Sequence, residues 1–266
     1  MENILAKALH VLKNGRSCAF ATIVESTPKG TPRKSGAKMV VLEDGRIIGS
    51  IGGGRNELAA RNECLKAIQT GKSIIITYDY FGQKGQSVCG GQIKIFIEPF
   101  IGTKRLIICG AGHIALPISF IGKLLNYHVT ILDNRKEYAN SKRFPHVDAI
   151  LLGNHAHELE KINITSQSLI MIVTQGNEFD YECLRTVIKS PAGYLGVISS
   201  KAKRIKFFKR LKEEGISDKL LKRVKIPAGI DIGAQTPEEI AVSIIAEIIK
   251  IQNNLFIGSA KFKVKD

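Results

Sequence analysis

Apolar positions recur along this chain with two different rhythms, and the change from one to the other falls near residue 100. In the first part the apolar runs are short and separated by turn residues. Residues 17–24 (SCAFATIV) and 37–42 (AKMVVL) read as strands, and Pro28, Gly30 and Pro32 interrupt the stretch between them. Glu43-Asp44-Gly45-Arg46 has the Asp-Gly pair of a tight hairpin, after which RIIGSI returns as a strand and runs into Gly52-Gly53-Gly54. Leu58, Ala59, Cys64, Leu65 and Ile68 share one face of a helix stopped by Gly71. SIIITYDY and QIKIFIEP complete the strands of this half, and an amphipathic helix ending near Gly15 precedes them. Beyond Pro99–Lys104, the expected linker, strands alternate with helices. RLIIC, HVTILD, DAILLG, SLIMIVT and GYLGVIS are the strands, with helical patterns at 113–125, 178–189, 200–213 and 237–251. The last of these opens on Thr236-Pro237-Glu238-Glu239, a good N-cap, a proline at the first helical position, and acids at the positive end of the dipole. Such alternation predicts a mostly parallel sheet with helices on both faces. The expectation is therefore an α/β protein: an α+β domain over 1–100 and a Rossmann-like domain over 105–266.

Composition narrows the class. Hydrophobic residues make up 44% and charged ones 24% of the 266, the balance of a globular protein. No apolar run is long enough for a membrane span, and Glu2 stands where a secretory signal carries positive charge, so a cytoplasmic protein is expected. Cys18, Cys64, Cys89, Cys109 and Cys183 are odd in number and contain no CxxC pair, which argues against a disulfide framework or a structural zinc site. Cys18 and Cys109 lie within apolar runs and read as packing residues. The formal charge of +15 is concentrated: residues 201–225 carry eleven Lys or Arg against three acids. A basic helix pair there suits nucleic acid, an acidic partner, a phosphorylated ligand or simply solvent. No recognition motif or aromatic platform accompanies it, which makes nucleic acid the weakest of these.

Four clusters carry candidate chemistry. In LIICGAGHIA a strand delivers Gly110-Ala111-Gly112 into a helix, with Ala115 in the third small position and Asp133 closing the next strand. Gly110 permits the turn, Gly112 lets a phosphate approach, and Asp133 stands where an acid accepts ribose hydroxyls. The alternative is a Rossmann fold without a ligand. His113, next to the turn, is a candidate ligand contact or a helix cap. GSIGGGRNE (49–57), with Ser50, Gly52, Gly53, Gly54 and Glu57, reads as an anion-binding nest aided by Arg55, or as a turn required by packing. Cys89, before Gly90-Gly91, is either a reactive thiol able to meet a soft metal or sulfur, or a structural residue. IPAGIDIGAQTPEEIA brings Asp231, Glu238 and Glu239 to a loop–helix junction, as a pocket wall or as capping groups.

At these residues the chain resembles the XdhC/CoxI family, accessory proteins of xanthine dehydrogenase and related molybdenum hydroxylases. TPRKSGAKMVV, DGRIIGSIGGGRNE, VCGGQIKIFIEP, CGAGHIALPI, VTILDNRKEYANSKRFP, YLGVISSKAK and IPAGIDIGAQTPEEIAVSIIAEI carry the resemblance, in order and over nearly the whole length. It implies a protein that binds molybdenum cofactor (molybdopterin), supports its sulfuration by a cysteine desulfurase and delivers it to the hydroxylase. Such a protein works by binding and transfer rather than turnover, and a homodimer is expected. On the match, Gly52, Gly53, Gly54 and Glu57 would line the N-terminal site, and Cys89 would meet molybdenum or sulfur. NAD(P) or another nucleotide at Gly110, Gly112, His113 and Asp133 is the second cofactor expectation. The rival reading is an NAD(P)-dependent oxidoreductase.

Overall fold

The computed structural model describes residues 2–28, 30–79 and 91–256. They form two compact units that divide between Gly102 and Thr103.

The first unit contains α1 (Glu2–Lys13), β1 (Cys18–Ser26), β2 (Lys38–Leu42), β3 (Ile47–Gly49), α2 (Gly54–Thr70), β4 (Ile74–Asp79) and β5 (Gln92–Phe100). The strands make one antiparallel sheet in the order β3-β2-β1-β5-β4. Side chains alternate across a strand, so each strand serves two faces. Ala19, Ala21 and Ile23 of β1 and Ile93, Ile95 and Ile97 of β5 pack with Ala60, Cys64 and Ala67 of α2. Cys18, Val40 and Leu42 pack instead with Ala8 and Val11 of α1. The Asp-Gly hairpin forms as its residues require: Gly45 takes φ +82°, and its amide bonds the Leu42 carbonyl at 2.8 Å. Arg16 clamps the hairpin through Glu43 at 3.1 Å and Asp44 at 2.6 Å.

The second unit contains β6 (Arg105–Cys109), α3 (Ala115–Leu124), β7 (His128–Asp133), β8 (Ala149–Leu152), α4 (His155–Glu160), β9 (Ser168–Ile172), α5 (Asn177–Val187), β10 (Tyr194–Val197), α6 (Lys201–Glu213), α7 (Asp218–Leu221), β11 (Val224–Lys225) and α8 (Pro237–Phe256). All six strands are parallel, in the order β11-β10-β9-β6-β7-β8. Numbered within the unit this is 3-2-1-4-5-6 read from β8, the Rossmann order, and the direction of winding reverses between β6 and β9. Leu106, Ile108, Leu169 and Met171 face α3 and α8, where Ala115, Ile118, Ile244 and Ile248 cover them. Ile107, Cys109, Ile170 and Ile172 face the other way, onto Leu184 of α5 and Phe207 and Leu211 of α6. Burial on both faces explains why these strands read as continuous apolar runs rather than alternating ones. The fold is mixed α/β, a parallel six-stranded Rossmann sheet preceded by an antiparallel one. Where the sequence pattern gives a basic helix pair over 201–225, the structure gives α6, the single turn of α7 and the two-residue edge strand β11. No described helix is long and apolar enough to cross a membrane.

Candidate functional site

In the first unit, the glycine run between β3 and α2 closes on an acid of its own. Gly52, Gly53 and Gly54 all take positive φ, a conformation open to glycine. Glu57, in the first turn of α2, reaches back into this turn. Its Oε2 accepts from Ser50 Oγ at 2.7 Å, the Ile51 amide at 2.9 Å and the Gly53 amide at 3.0 Å, while the Gly52 amide donates to Ser50 Oγ at 3.0 Å. Burial opposes ionisation of this carboxyl, but the Ser50 hydroxyl and the amides outweigh it and hold its pKa below the usual value. Ser50, Gly52, Gly53 and Glu57 are thus one bonded cluster, and the anion held by the nest is the side chain of Glu57. Gly54 and Arg55 are exposed at its edge. Cys89 lies outside the described residues.

In the second unit, the turn after β6 sits at the switch point. Gly110 takes φ +110°, and a Cβ there would run into the Val173 carbonyl and come within 3.0 Å of Thr174 Cα, so the loops after β6 and β9 touch at this glycine. Its amide bonds the Leu132 carbonyl at 2.7 Å. Asp133 is fully buried, and both its oxygens are engaged. The Ala111 amide donates to Oδ2 at 2.7 Å, Arg135 Nη2 to Oδ2 at 2.8 Å, and the Arg135 amide and Nε to Oδ1 at 2.9 Å each. Burial works against the charge, yet Arg135 and the amides keep the Asp133 pKa low. Arg135 goes on to Gln175 Oε1 at 2.7 Å, tying the β7 end to the loop after β9.

Gly112 and His113 are placed differently. Nothing lies within 4 Å of a Cβ built on Gly112, and among the described residues the amides of Gly112 and His113 donate to no partner. They precede α3, whose N-terminus has no side-chain cap. Open amides at a helix start are the local requirement for binding an anion. Arg143 adds charge: its Nη2 donates to the Gly112 carbonyl at 3.3 Å, and its guanidinium lies 5.0 Å from the Tyr138 ring, with Arg135 at 4.1 Å from the same ring. His113 is exposed. Asp231 is exposed on the loop between β11 and α8, where its Oδ1 accepts the Gly233 amide at 3.3 Å. Because every strand of this sheet is parallel, that loop and the Gly110 turn lie on the same carboxyl edge. Glu239 proves to be a capping group: Oε2 accepts the amides of Gln235 and Thr236 at 2.7 and 3.1 Å, and Thr236 Oγ1 accepts the Glu239 amide at 3.2 Å.

The motif reading missed Arg135, Arg143, Gln175 and His155. The first two lie in DNRKEYANSKRFP, where position two after the acid is the only local cue for Arg135. His155 has no sequence cue. It is 1% exposed, both ring nitrogens lack hydrogen-bond partners among the described residues, and Nε2 stands 4.0 Å from Asp133 Oδ2. Burial pushes its pKa down in spite of Asp133, so the ring is held neutral behind the acid.

Comparison with known proteins bears on the family and the fold. The XdhC Rossmann domain matches residues 106–248, and the XdhC and CoxI family matches residues 11–79. The uncharacterized protein YqeB of Escherichia coli (strain K12) is 34% identical over 260 residues, 95% of this chain and 47% of that protein. A Bacillus subtilis (strain 168) protein described as a probable xanthine dehydrogenase subunit is 26% identical over 62% of this chain and 48% of its own length. The molybdenum cofactor insertion chaperone PaoD of Escherichia coli (strain K12) is 34% identical over 106 residues, 39% of this chain and 33% of PaoD. This chain therefore spans about half, or less, of the length of these relatives. A solved structure of a xanthine dehydrogenase from Bacillus halodurans shares the fold, with a TM-score of 0.54 at 20% identity over 97% of this chain and 98% of the other. With more than half of its residues matched by the Rossmann model alone, the chain belongs to the XdhC and CoxI family.

Proposed function

We propose that this chain is a xanthine dehydrogenase accessory factor that binds molybdenum cofactor, supports its sulfuration and delivers it to a molybdenum hydroxylase. The observation that carries the reading is the turn at Gly112 and His113. Its amides have no acceptor among the described residues, a helix begins behind them and Arg143 stands beside them, in a chain 34% identical over 106 residues to a molybdenum cofactor insertion chaperone. The donor set fits the phosphate end of molybdopterin, since amides and guanidinium groups bind phosphate by charge-assisted hydrogen bonds. When bound, the cofactor supplies the molybdenum centre of the client's chemistry. In this reading Gly112 and His113 hold and orient its phosphate, and Asp231 lies on the same edge from the last loop. Cys89 is proposed separately, from the family resemblance, as a contact for molybdenum or sulfur. At the Ser50–Gly54 cluster the Ile51, Gly52 and Gly53 amides are taken up by Glu57 and Ser50, which leaves the exposed amides of Gly54 and Arg55, without an acceptor among the described residues, as what this turn can offer a ligand. A cysteine desulfurase and the hydroxylase are the partners this role requires, in the cytoplasm, with the chain as a homodimer.

An NAD(P)-dependent oxidoreductase is less well supported. A ribose diol needs the Asp133 carboxylate, and Arg135 and the Ala111 amide already saturate it. The test is anaerobic binding of molybdenum cofactor, read as pterin fluorescence after oxidation. Near-stoichiometric retention by wild type, lost in Gly112→Ala and weakened in Cys89→Ser, is expected. No retention by wild type refutes the reading. Calorimetric titration with NAD and NADP, expected to show no saturable heat, decides the rival.

A further inference from the structure

A second cationic site lies on the other side of the Rossmann sheet from α3. A cavity of about 240 Å³ opens between α5 and α6. Asn177 and Glu178 of the first turn of α5, and Lys203, Lys206 and Arg210 of α6, line it, with the rings of Tyr181 and Phe207 as its apolar wall. None of these residues belongs to the Gly110–Gly112 turn. Both helices begin at the carboxyl edge of the sheet, after β9 and β10, so their positive ends point the same way.

The charges around the cavity do not cancel. Arg210 is committed: Nη1 donates to both oxygens of Glu178 at 2.9 and 3.2 Å, and the guanidinium lies 3.8 Å from the Tyr181 ring centroid. That pair bridges α5 to α6 and fixes one wall. Glu214, beyond Arg210, is taken up by Tyr181 Oη at 2.6 Å and Arg185 Nε at 2.7 Å. Asp180 is buried behind the wall, bonded by Thr174 Oγ1 at 2.6 Å, and Lys203 attracts it without an ion pair. Lys203 and Lys206 have no ion-pair partner among the described residues. The lining thus holds three cations against the single carboxylate of Glu178.

We infer that the α5–α6 cavity binds a small phosphomonoester, its phosphate on Lys203 and Lys206 and its organic part against Tyr181 and Phe207. A phosphomonoester carries a charge of about −1.5 to −2 near neutral pH, which matches the two uncommitted lysines. The space exceeds that of a phosphate group alone, and its apolar wall gives the rest of such a molecule somewhere to lie. The cavity is independent of the cofactor reading above, because it uses none of the residues on which that reading rests.

The experiment is calorimetric titration of the full chain with phenyl phosphate and with inorganic phosphate at moderate salt. Phenyl phosphate is expected to bind saturably and more tightly than inorganic phosphate. Lys203→Gln and Lys206→Gln should each weaken it about tenfold, as loss of a charge-assisted contact predicts. Lys203→Arg should retain binding, as should Gly112→Ala in the separate turn. Melting curves of the lysine variants, expected to match wild type, exclude unfolding as the cause. Lys209→Gln, on the same helix but outside the cavity, should leave the affinity unchanged. Equal weakening by Lys209→Gln would mean attraction by diffuse charge only and overturns the site. So does the absence of saturable phenyl phosphate binding, or retention of an acidic peptide in its place. Displacement of phenyl phosphate by isolated molybdenum cofactor would identify the cofactor's phosphate as the source and move it from the Gly112 turn to this cavity. Binding without displacement would assign the cavity to a separate phosphorylated metabolite.

Discussion

Glu57 shows how one side chain changes the meaning of a motif. A glycine run before a helix offers anion-binding amides, and here a residue three positions into that helix supplies the anion. Glu57→Ala leaves the Ser50 hydroxyl and the Ile51 and Gly53 amides without their acceptor, and is expected to cost about 1–3 kcal/mol in urea unfolding. The pKa of Glu57 is lower in the folded protein than in the unfolded chain, so its stabilisation is complete above the unfolded value and is lost as pH falls through the folded one. His155 acts earlier on the same scale. Its folded pKa is depressed, so below the unfolded value of about 6.5 the unfolded chain takes up a proton that the folded one resists. Stability should therefore decline from about pH 6.5 downward, and His155→Phe should flatten that part of the profile; an unchanged profile would refute the assignment. The thiols give a third check. Burial pushes Cys18 up to about 11 and Cys64 up to about 12, and Cys109 and Cys183 are buried as well. At pH 8 none of these four should react with a thiol reagent until the protein is unfolded.

Elements bring out a different lesson, because two glycines of one turn serve different ends. Gly110 is a packing glycine where the loops after β6 and β9 meet, and Gly110→Ala should destabilise the protein by more than about 1 kcal/mol. Gly112 has open space beside it and no positive φ, so Gly112→Ala should leave stability within about 0.5 kcal/mol of wild type while obstructing an anion. Thermal melts of the two variants separate these roles, and equal losses would contradict them. The start of α8 was legible from TPEE alone, since a capping box depends only on residues within one turn. β11 was not. Two residues carry no period, and their strand character comes from pairing Leu195 with Val224 and Gly196 with Lys225 across a crossover.

For the molecule as a whole, the charge of +15 sets its behaviour toward polyanions. Binding to duplex DNA is expected only at low ionic strength, without sequence preference, and should vanish at moderate salt in a gel-shift assay; salt-resistant binding would point to a built interface. The basic excess of residues 201–225 turns out to be divided, with Arg210 spent on Glu178 and Lys203 and Lys206 left free beside a cavity. Periodicity was enough to read the strands, the Asp-Gly turn and the Rossmann crossover pattern, because each depends on spacing within a few residues or on runs buried on both faces, whereas the antiparallel pairing of the first sheet came from the tertiary structure. Which donors meet which acceptors was beyond it. The Asp133–Arg135–Gln175 chain, the orphaned His155 behind it and the Lys203–Tyr181 cavity join residues from separate βα units. Their positions are set by how strands order in the sheet and how helices pack on it, and a spacing rule along one segment carries no information about a partner forty residues away.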